Sequence, residues 1–211
     1  MAATDNAAEQ VAHIAEKIRA GKTTLGIEFG STRIKAVLID DNFQTIASGD
    51  YSWASHLEDG LWSYTTEEIW GGLQSAYASM ANDVETAYGE KLTHVGHIGF
   101  SAMMHGYLAF DEAGELLVPF RTWQNTNTSE AHKKLSELFQ YNIPERWSIA
   151  HLYQAVLNKE EHVSKVAYFT TLAGYAHSLR SSTLCLRSQP SRGSWRTCFL
   201  SRSWPALRLA S

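Results

Sequence analysis

Apolar and polar positions begin to alternate at Leu25. Leu25, Ile27 and Phe29 are separated by Gly26 and Glu28, the two-residue period of a strand with one buried face. From Ile34 to Ile39 the chain is almost continuously apolar, which predicts a strand covered on both faces. A tight turn, Gly30-Ser31-Thr32, joins the two. After Asp40-Asp41-Asn42, the stretch from Phe43 to Ser52 predicts a third strand that extends the meander. Upstream, Val11, Ile14 and Ile18 share one side of a helix ended by Gly21, an appendage that packs on the first strand. Downstream, Thr65-Thr66-Glu67-Glu68 has the form of a capping box. It opens a helix with Ile69, Leu73, Tyr77, Met80, Val84 and Tyr88 at helical spacing, and Gly89 stops it. Val95 to Ser101 reads as a buried strand, and Tyr107 to Phe110 as a short strand before a turn at Asp111-Glu112-Ala113-Gly114. A helix beginning near Asn127 turns Ala131, Leu135 and Leu138 inward, and Pro144 precedes a shorter helix near Ile149 to Leu157. A meander followed by alternating helices and strands predicts an α/β fold.

With 211 residues, 44% hydrophobic and 19% charged, the composition is that of a soluble globular chain of one large or two small domains. No run approaches the length of a membrane-spanning helix. The N-terminus carries Asp5, Glu9 and Glu16 and lacks the apolar centre of a secretory signal, so the expected location is cytoplasmic. The net charge of −4 hides a split. All 22 acidic residues lie at or before Glu161, while Lys165 and six Arg follow it without an acid, giving −11 and +7. An acidic body speaks against nucleic acid as a partner. From about Ser178 the chain is dominated by Ser, Arg and Leu and shows no sustained period. Three readings of 178–211 compete: a basic arm with Trp195 and Trp204 among its arginines, an ordinary disordered end, and a frame-shifted reading of a gene that once continued. Loss of every acid alongside a surge of Ser and Arg favours the third. Cys185 and Cys198 lie too far apart for a paired metal motif, with no His nearby.

The turn between the first two strands is the first candidate for chemistry. Backbone N–H groups, the Ser31 and Thr32 hydroxyls and the Arg33 cation surround Gly30, which admits close approach of a bound group. Glu28, just before the turn, is placed to hold a metal-bound water. Taken alone, such a turn is common in hairpins without ligand. Its spacing resembles the first phosphate-binding motif of the actin-like ATPases, and especially of the FGGY carbohydrate kinases, xylulokinase-like members above all. Those usually carry Asp-x-Gly-Thr, where this chain has Glu28-Phe29-Gly30-Ser31-Thr32. The resemblance implies a ribonuclease-H-like half-domain with a mixed sheet flanked by helices, ATP and Mg2+ as cofactors, and a sugar as the second substrate. It spans 23–177, where Val166 to His177 resembles the strand and helix start at which the family carries on, with 1–22 as a helical extension.

Two further segments carry the same resemblance. Met104 and His105, within Ser101-Ala102-Met103-Met104-His105-Gly106, are similar to the Met-His that faces the sugar in xylulokinase-type members. Trp123-Gln124-Asn125 is similar to the family's Trp-Asn-Asp or Trp-Lys-Asp loop. There Trp packs on the apolar face of the sugar and the next residues bind hydroxyls. Without the family, a His at a strand end, a core Trp and a turn are the simpler readings. The family's base is an Asp in a downstream Gly-Asp-Ala-Ser-like segment, and the last Asp here is Asp111, so no catalytic base is expected in this chain. The expectation is a truncated fragment of an ATP-dependent sugar kinase, inactive by itself, with a pentulose such as xylulose as the family substrate. The alternative is a non-catalytic sugar-binding or actin-like interaction module with a basic tail.

Overall fold

The computed structural model describes residues 2–181; the Ser/Arg-rich stretch from 182 onward lies outside the described residues. The elements in chain order are α1 (Ala2–Arg19), β1 (Thr23–Phe29), β2 (Arg33–Asp40), β3 (Thr45–Ser52), β4 (His56–Glu58), β5 (Leu61–Ser63), α2 (Thr66–Tyr88) and β6 (His97–Ala102). They continue with β7 (Gly106–Phe110), β8 (Arg121–Thr122), α3 (Ser129–Phe139), α4 (Ser148–Leu157), a 3-10 turn at Glu161–Lys165, β9 (Tyr168–Thr170) and α5 (Leu172–Ser181). They form two compact units. Among the described residues, the first runs from the start of α1 to Ser55 and includes Thr66–Ala102; the second is His56–Thr65 with the chain from Met103 to Ser181.

In the first unit a four-stranded sheet runs β3-β2-β1-β6, antiparallel through the meander and parallel between β1 and β6. Leu25, Ile27, Phe29, Ile34, Ala36 and Leu38 line one face and are buried. The alternation expected for β1 is present. β2 differs from expectation: Arg33 and Lys35 are exposed and Val37 and Ile39 only half-buried, so one face is covered fully and the other is not. Four apolar residues in a row, Ala36 to Ile39, concealed the strand's two-residue period. Helix α2 covers the buried face through Ile69, Gly72, Ala76, Met80 and Val84. Leu73 and Tyr77, expected inward, are half-buried beside that seam. The reason is close approach. A Cβ on Gly49 of β3 would stand 2.3 Å from the Met80 nitrogen and 2.4 Å from the Ala76 carbonyl oxygen, so strand and helix meet backbone to backbone. Gly89, at φ +68°, ends α2 as expected.

Helix α1 buries Ala15, Lys17 and Ile18, whereas Val11 is 42% exposed. Lys17 Nζ lies 2.8 Å from Asp40 and 2.6 Å from Asp41. Its hydrogen bond is the chief reason that the Asp40 carboxyl is held below the usual carboxylate range. β6 begins at His97, and none of its residues is fully buried. Among the described residues it is the sheet's edge strand, where a buried strand was expected.

In the second unit β7 is buried along its whole length between β8 and β9, both antiparallel to it. Leu135, Ile143 and Ala150 form a small core that joins α3 to α4, with Trp147 and Tyr153 packed on it. Leu138, expected inward, is 73% exposed. Phe110 stacks on Tyr168 and on Tyr175, with ring centroids 4.9 and 5.3 Å apart, and so fixes β9 and α5. No helix among the described residues is long and apolar enough to cross a membrane.

Candidate functional site

In the first unit the β1–β2 turn closes when the Gly30 N–H donates to the Arg33 carbonyl at 2.9 Å. A Cβ on Gly30 would sit 3.0 Å from that oxygen, so glycine allows the turn to be this tight. Trp53 braces the turn. Its indole N–H donates to the Gly30 carbonyl at 2.8 Å, and its backbone N–H donates to the Thr32 carbonyl at 3.1 Å. Two of the turn's carbonyl oxygens are therefore already engaged, which lessens repulsion toward an incoming anion. Ser31, Thr32 and Arg33 stay exposed.

Glu28 lies opposite Lys35 in the ladder, on the open face of the sheet, with Nζ 3.6 Å from the carboxylate. The Arg33 Nε is 3.7 Å from Asp50. Both pairs are about half exposed, so they are weak and their cations can turn to a more highly charged anion. No cluster of three or more His, Cys, Asp or Glu among the described residues could enclose a metal. A lone exposed carboxylate fits a different arrangement, in which Mg2+ keeps its waters and is carried by phosphates. The sequence reading missed Lys35 and Trp53. The strand period could have shown Lys35, since it shares an outward face with Arg33.

In the second unit the β7–β8 ladder pairs Gly106 with Thr122 and Tyr107 with Arg121. It stops there, so His105 and Trp123 are the residues that follow the last paired position on each strand, with Met104 and Gln124 next to them along the chain. Two sequence-predicted segments are thus brought together. Gly106 makes this possible: at φ +132°, a Cβ would meet the Phe120 ring at 2.7 Å. Met104 is 78% exposed and Trp123 40%, while His105 and Gln124 are half-buried. The His105 ring stacks on Trp147 at 6.2 Å, and Trp147 in turn lies 6.4 Å from Tyr141. The Ser148 hydroxyl donates to the Gly106 carbonyl and fastens the start of α4 to the same turn. Burial, then the positive charge of Arg146, holds His105 below its ordinary pKa, so it is neutral at pH 7 and can both donate and accept.

Asn125 departs from the expected hydroxyl ligand. It is buried, its carboxamide oxygen accepts from the Trp62 N–H at 2.9 Å, and its NH2 donates to the Trp62 and Thr122 carbonyls at 2.8 and 3.1 Å. Its side chain thus holds β5 against the Trp123 loop. Trp147, Ser148 and Arg146 are the neighbours that the sequence reading missed, and no local spacing joins them to His105.

Behind β7 and β8 lies a buried polar layer. Tyr107 and His162 share a hydrogen bond of 3.0 Å, Arg121 is paired with Glu160, and the Arg121 guanidinium stands 5.5 Å over the Tyr107 ring. Burial pushes the Tyr107 hydroxyl up to about 12. His151 stacks on Tyr107 at 6.3 Å, and burial, aided by Arg121, pushes it down to about 4. This layer stiffens the ladder that presents His105 and Trp123.

Residues 23–167 match the model of the FGGY family of carbohydrate kinases, N-terminal domain. The gluconokinase of Bacillus subtilis is 29% identical over 124 residues, 58% of this chain and 23% of that protein. The xylulose kinase of Klebsiella pneumoniae is 26% identical over 113 residues, 54% of this chain and 22% of its own length. This chain therefore spans less than a quarter of the length of the curated relatives it matches. Among solved structures, a xylulose kinase from Rhodospirillum rubrum superposes with a TM-score of 0.63 at 17% identity, covering 74% of this chain and 33% of that one. A gluconate kinase from Lactobacillus acidophilus gives 0.58 at 18%, covering 70% and 31%. These likenesses show the fold, the ribonuclease-H-like half-domain of the actin-like ATPases, with its mixed sheet and flanking helices. The family match covers most of the chain, and the chain belongs to the FGGY family of carbohydrate kinases, within their N-terminal domain.

Proposed function

We propose that this chain supplies the phosphate-holding and sugar-holding parts of an ATP-dependent carbohydrate kinase, which transfers the γ-phosphoryl group of ATP to a sugar hydroxyl. Gly30, Ser31, Thr32 and Arg33 receive the terminal phosphates, and Lys35 adds charge beside them. Glu28 orients a water of the Mg2+ that ATP carries. The chemistry the bound metal would supply is neutralisation of phosphate charge. Met104, His105, Trp123 and Gln124 hold the sugar, and Asn125 holds the loop. Trp123 offers a flat face to the sugar's C–H groups, and neutral His105 exchanges hydrogen bonds with hydroxyls. No described residue is assigned to take the hydroxyl proton, so the role proposed for this chain alone is binding. Residues 23–177 act as part of the kinase's N-terminal domain, and α1 as an extension packed on the first unit.

The observation that supports this reading is the β7–β8 register, which pairs Gly106 with Thr122 and so brings the backbone entries of the His105 and Trp123 segments to the same end of one ladder, although the two residues lie 18 positions apart in the chain. Two acceptor classes fit. A pentulose such as xylulose is supported by the Met104-His105 segment, and a sugar acid by the likeness to gluconokinases. The test is calorimetry and tryptophan fluorescence on the full chain with xylulose, ribulose, gluconate and Mg-ATP. Saturable quenching by at least one of the sugars, lost in Trp123→Ala, is expected. A folded chain whose fluorescence no sugar alters would refute the sugar-holding role.

A further inference from the structure

Arg146 stands two residues before helix α4. It precedes Trp147, whose ring stacks on His105, and Ser148, whose hydroxyl is bonded to Gly106. Its segment is therefore anchored at two adjacent points to the turn that presents His105. Its positive charge is felt at the His105 ring. Arg146 is exposed, and among the described residues it has no acidic partner. The neighbouring acid is committed elsewhere: the Glu145 carboxylate accepts from the Ser129 hydroxyl at 2.9 Å, and its carbonyl accepts from Thr128. His105 is neutral at pH 7, so the permanent charge beside the sugar cluster belongs to Arg146.

We infer that Arg146 is a specificity-determining residue, which recognises a carboxylate on the acceptor, so that the site prefers an aldonate to a neutral polyol of the same length. This rests on the reading that His105 and Trp123 hold the sugar. A guanidinium presents paired N–H donors in the geometry of a carboxylate, and such charge-assisted bonds are about twice as strong as neutral ones. Hydroxyls along the chain would meet His105 and Gln124, as for a neutral sugar, while the acid end would meet Arg146. The two relatives already named differ in this respect, one acting on an acid and one on a ketose, to judge by their names.

The experiment compares gluconate with glucitol, which replaces the carboxylate by a neutral CH2OH at equal length, on the full chain by calorimetry. Gluconate is expected to bind about tenfold more tightly at low salt. That ratio is expected to approach one in Arg146→Gln, to persist in part in Arg146→Lys, and to shrink as NaCl is raised. Arg146 is on the surface, so a cooperative melt like that of the parent chain is expected of both variants. Equal binding of gluconate and glucitol, or an undiminished ratio in Arg146→Gln, overturns the role of Arg146 while leaving sugar binding intact. If xylulose, glucitol and gluconate all fail to bind a chain that melts cooperatively, the sugar-holding reading falls, and this inference falls with it.

Discussion

Trp53 illustrates how a residue outside a binding loop sets the loop's properties. Trp53→Phe keeps a ring near Phe29, whose centroid is 6.5 Å away, but removes the indole donor to the Gly30 carbonyl. A half-buried carbonyl without its donor should lower stability by about 1 kcal/mol, read from urea denaturation. The Ser31 and Thr32 amide signals should also respond less to Mg-ATP in NMR titrations. Unchanged stability and unchanged shifts would mean that the brace is dispensable. His105 gives a second test. Burial and then the Arg146 charge keep its pKa low, so Arg146→Gln should raise the His105 midpoint, followed through its ring proton shifts. An unmoved midpoint would show that the guanidinium does not act on the ring. Glu28, Gly30 and the Met104-His105 pair could be singled out in sequence because each belongs to a short local pattern. Trp53, Arg146 and Trp147 were not, because their partners are reached through a strand turn or a helix start and not through spacing. Asn125 was legible as a polar loop residue, but its inward turn onto Trp62 depends on a hairpin 63 positions away.

At the scale of elements, the residue pattern located β1, β2, β3, β6, β7 and helices α1 to α4, did not reach the two- and three-residue strands β4, β5 and β8, and failed where small residues make the contact. The helix α2 pattern pointed to Leu73 and Tyr77, yet Gly72 and Ala76 face the sheet because Gly49 lets β3 approach the helix backbone. The sequence signal for this was three small residues, which carry no hydrophobic weight. Two glycine substitutions separate the effects. Gly49→Ala puts a methyl 2.3 Å from the Met80 nitrogen, an atom of the helix backbone that cannot swing aside. It should cost about 2 kcal/mol or more and lower the melting temperature. Gly71→Ala, in the same helix, meets nothing within 4 Å. There the gain in helix propensity should stabilise by about 0.5–1 kcal/mol. Shifts of the same sign in both variants would contradict the backbone-to-backbone packing of β3 on α2. Leu138 fails for the opposite reason. It keeps helical spacing with Leu135 but sits in the last turn of α3, past the small core with Ile143 and Ala150, and stays in solvent.

For the molecule as a whole, the buried histidines of the second unit should make stability depend on pH in a defined window. His151 is fully buried, and burial followed by the Arg121 charge takes its pKa from 6.5 to about 4. His162 and His105 are lowered too, both mainly by burial. A histidine with a lowered folded pKa binds its proton more readily in the unfolded chain. Its contribution is therefore complete above about pH 6.5 and is lost as the pH falls toward the folded value. For His151 the interval from 6.5 to about 4 corresponds to roughly 3 kcal/mol, with about 1.4 kcal/mol per pKa unit. Protonation would place a second positive charge beside Arg121, with Glu160 already paired to that arginine and Tyr107 and His162 bonded to each other. Asp40, held low by Lys17 in the first unit, adds its own loss only further down, as the pH falls through its folded value. Urea midpoints at pH 7.5, 6 and 5 should therefore fall steadily in the parent chain. In His151→Phe, which keeps a ring against Tyr107 but cannot take a proton, the decline over this range should be much shallower, leaving the smaller share of His162 and His105. Equal declines in parent and variant would remove His151 as the cause, and a parent whose midpoint does not fall between pH 7.5 and 5 would mean that none of the three rings is held neutral by the fold.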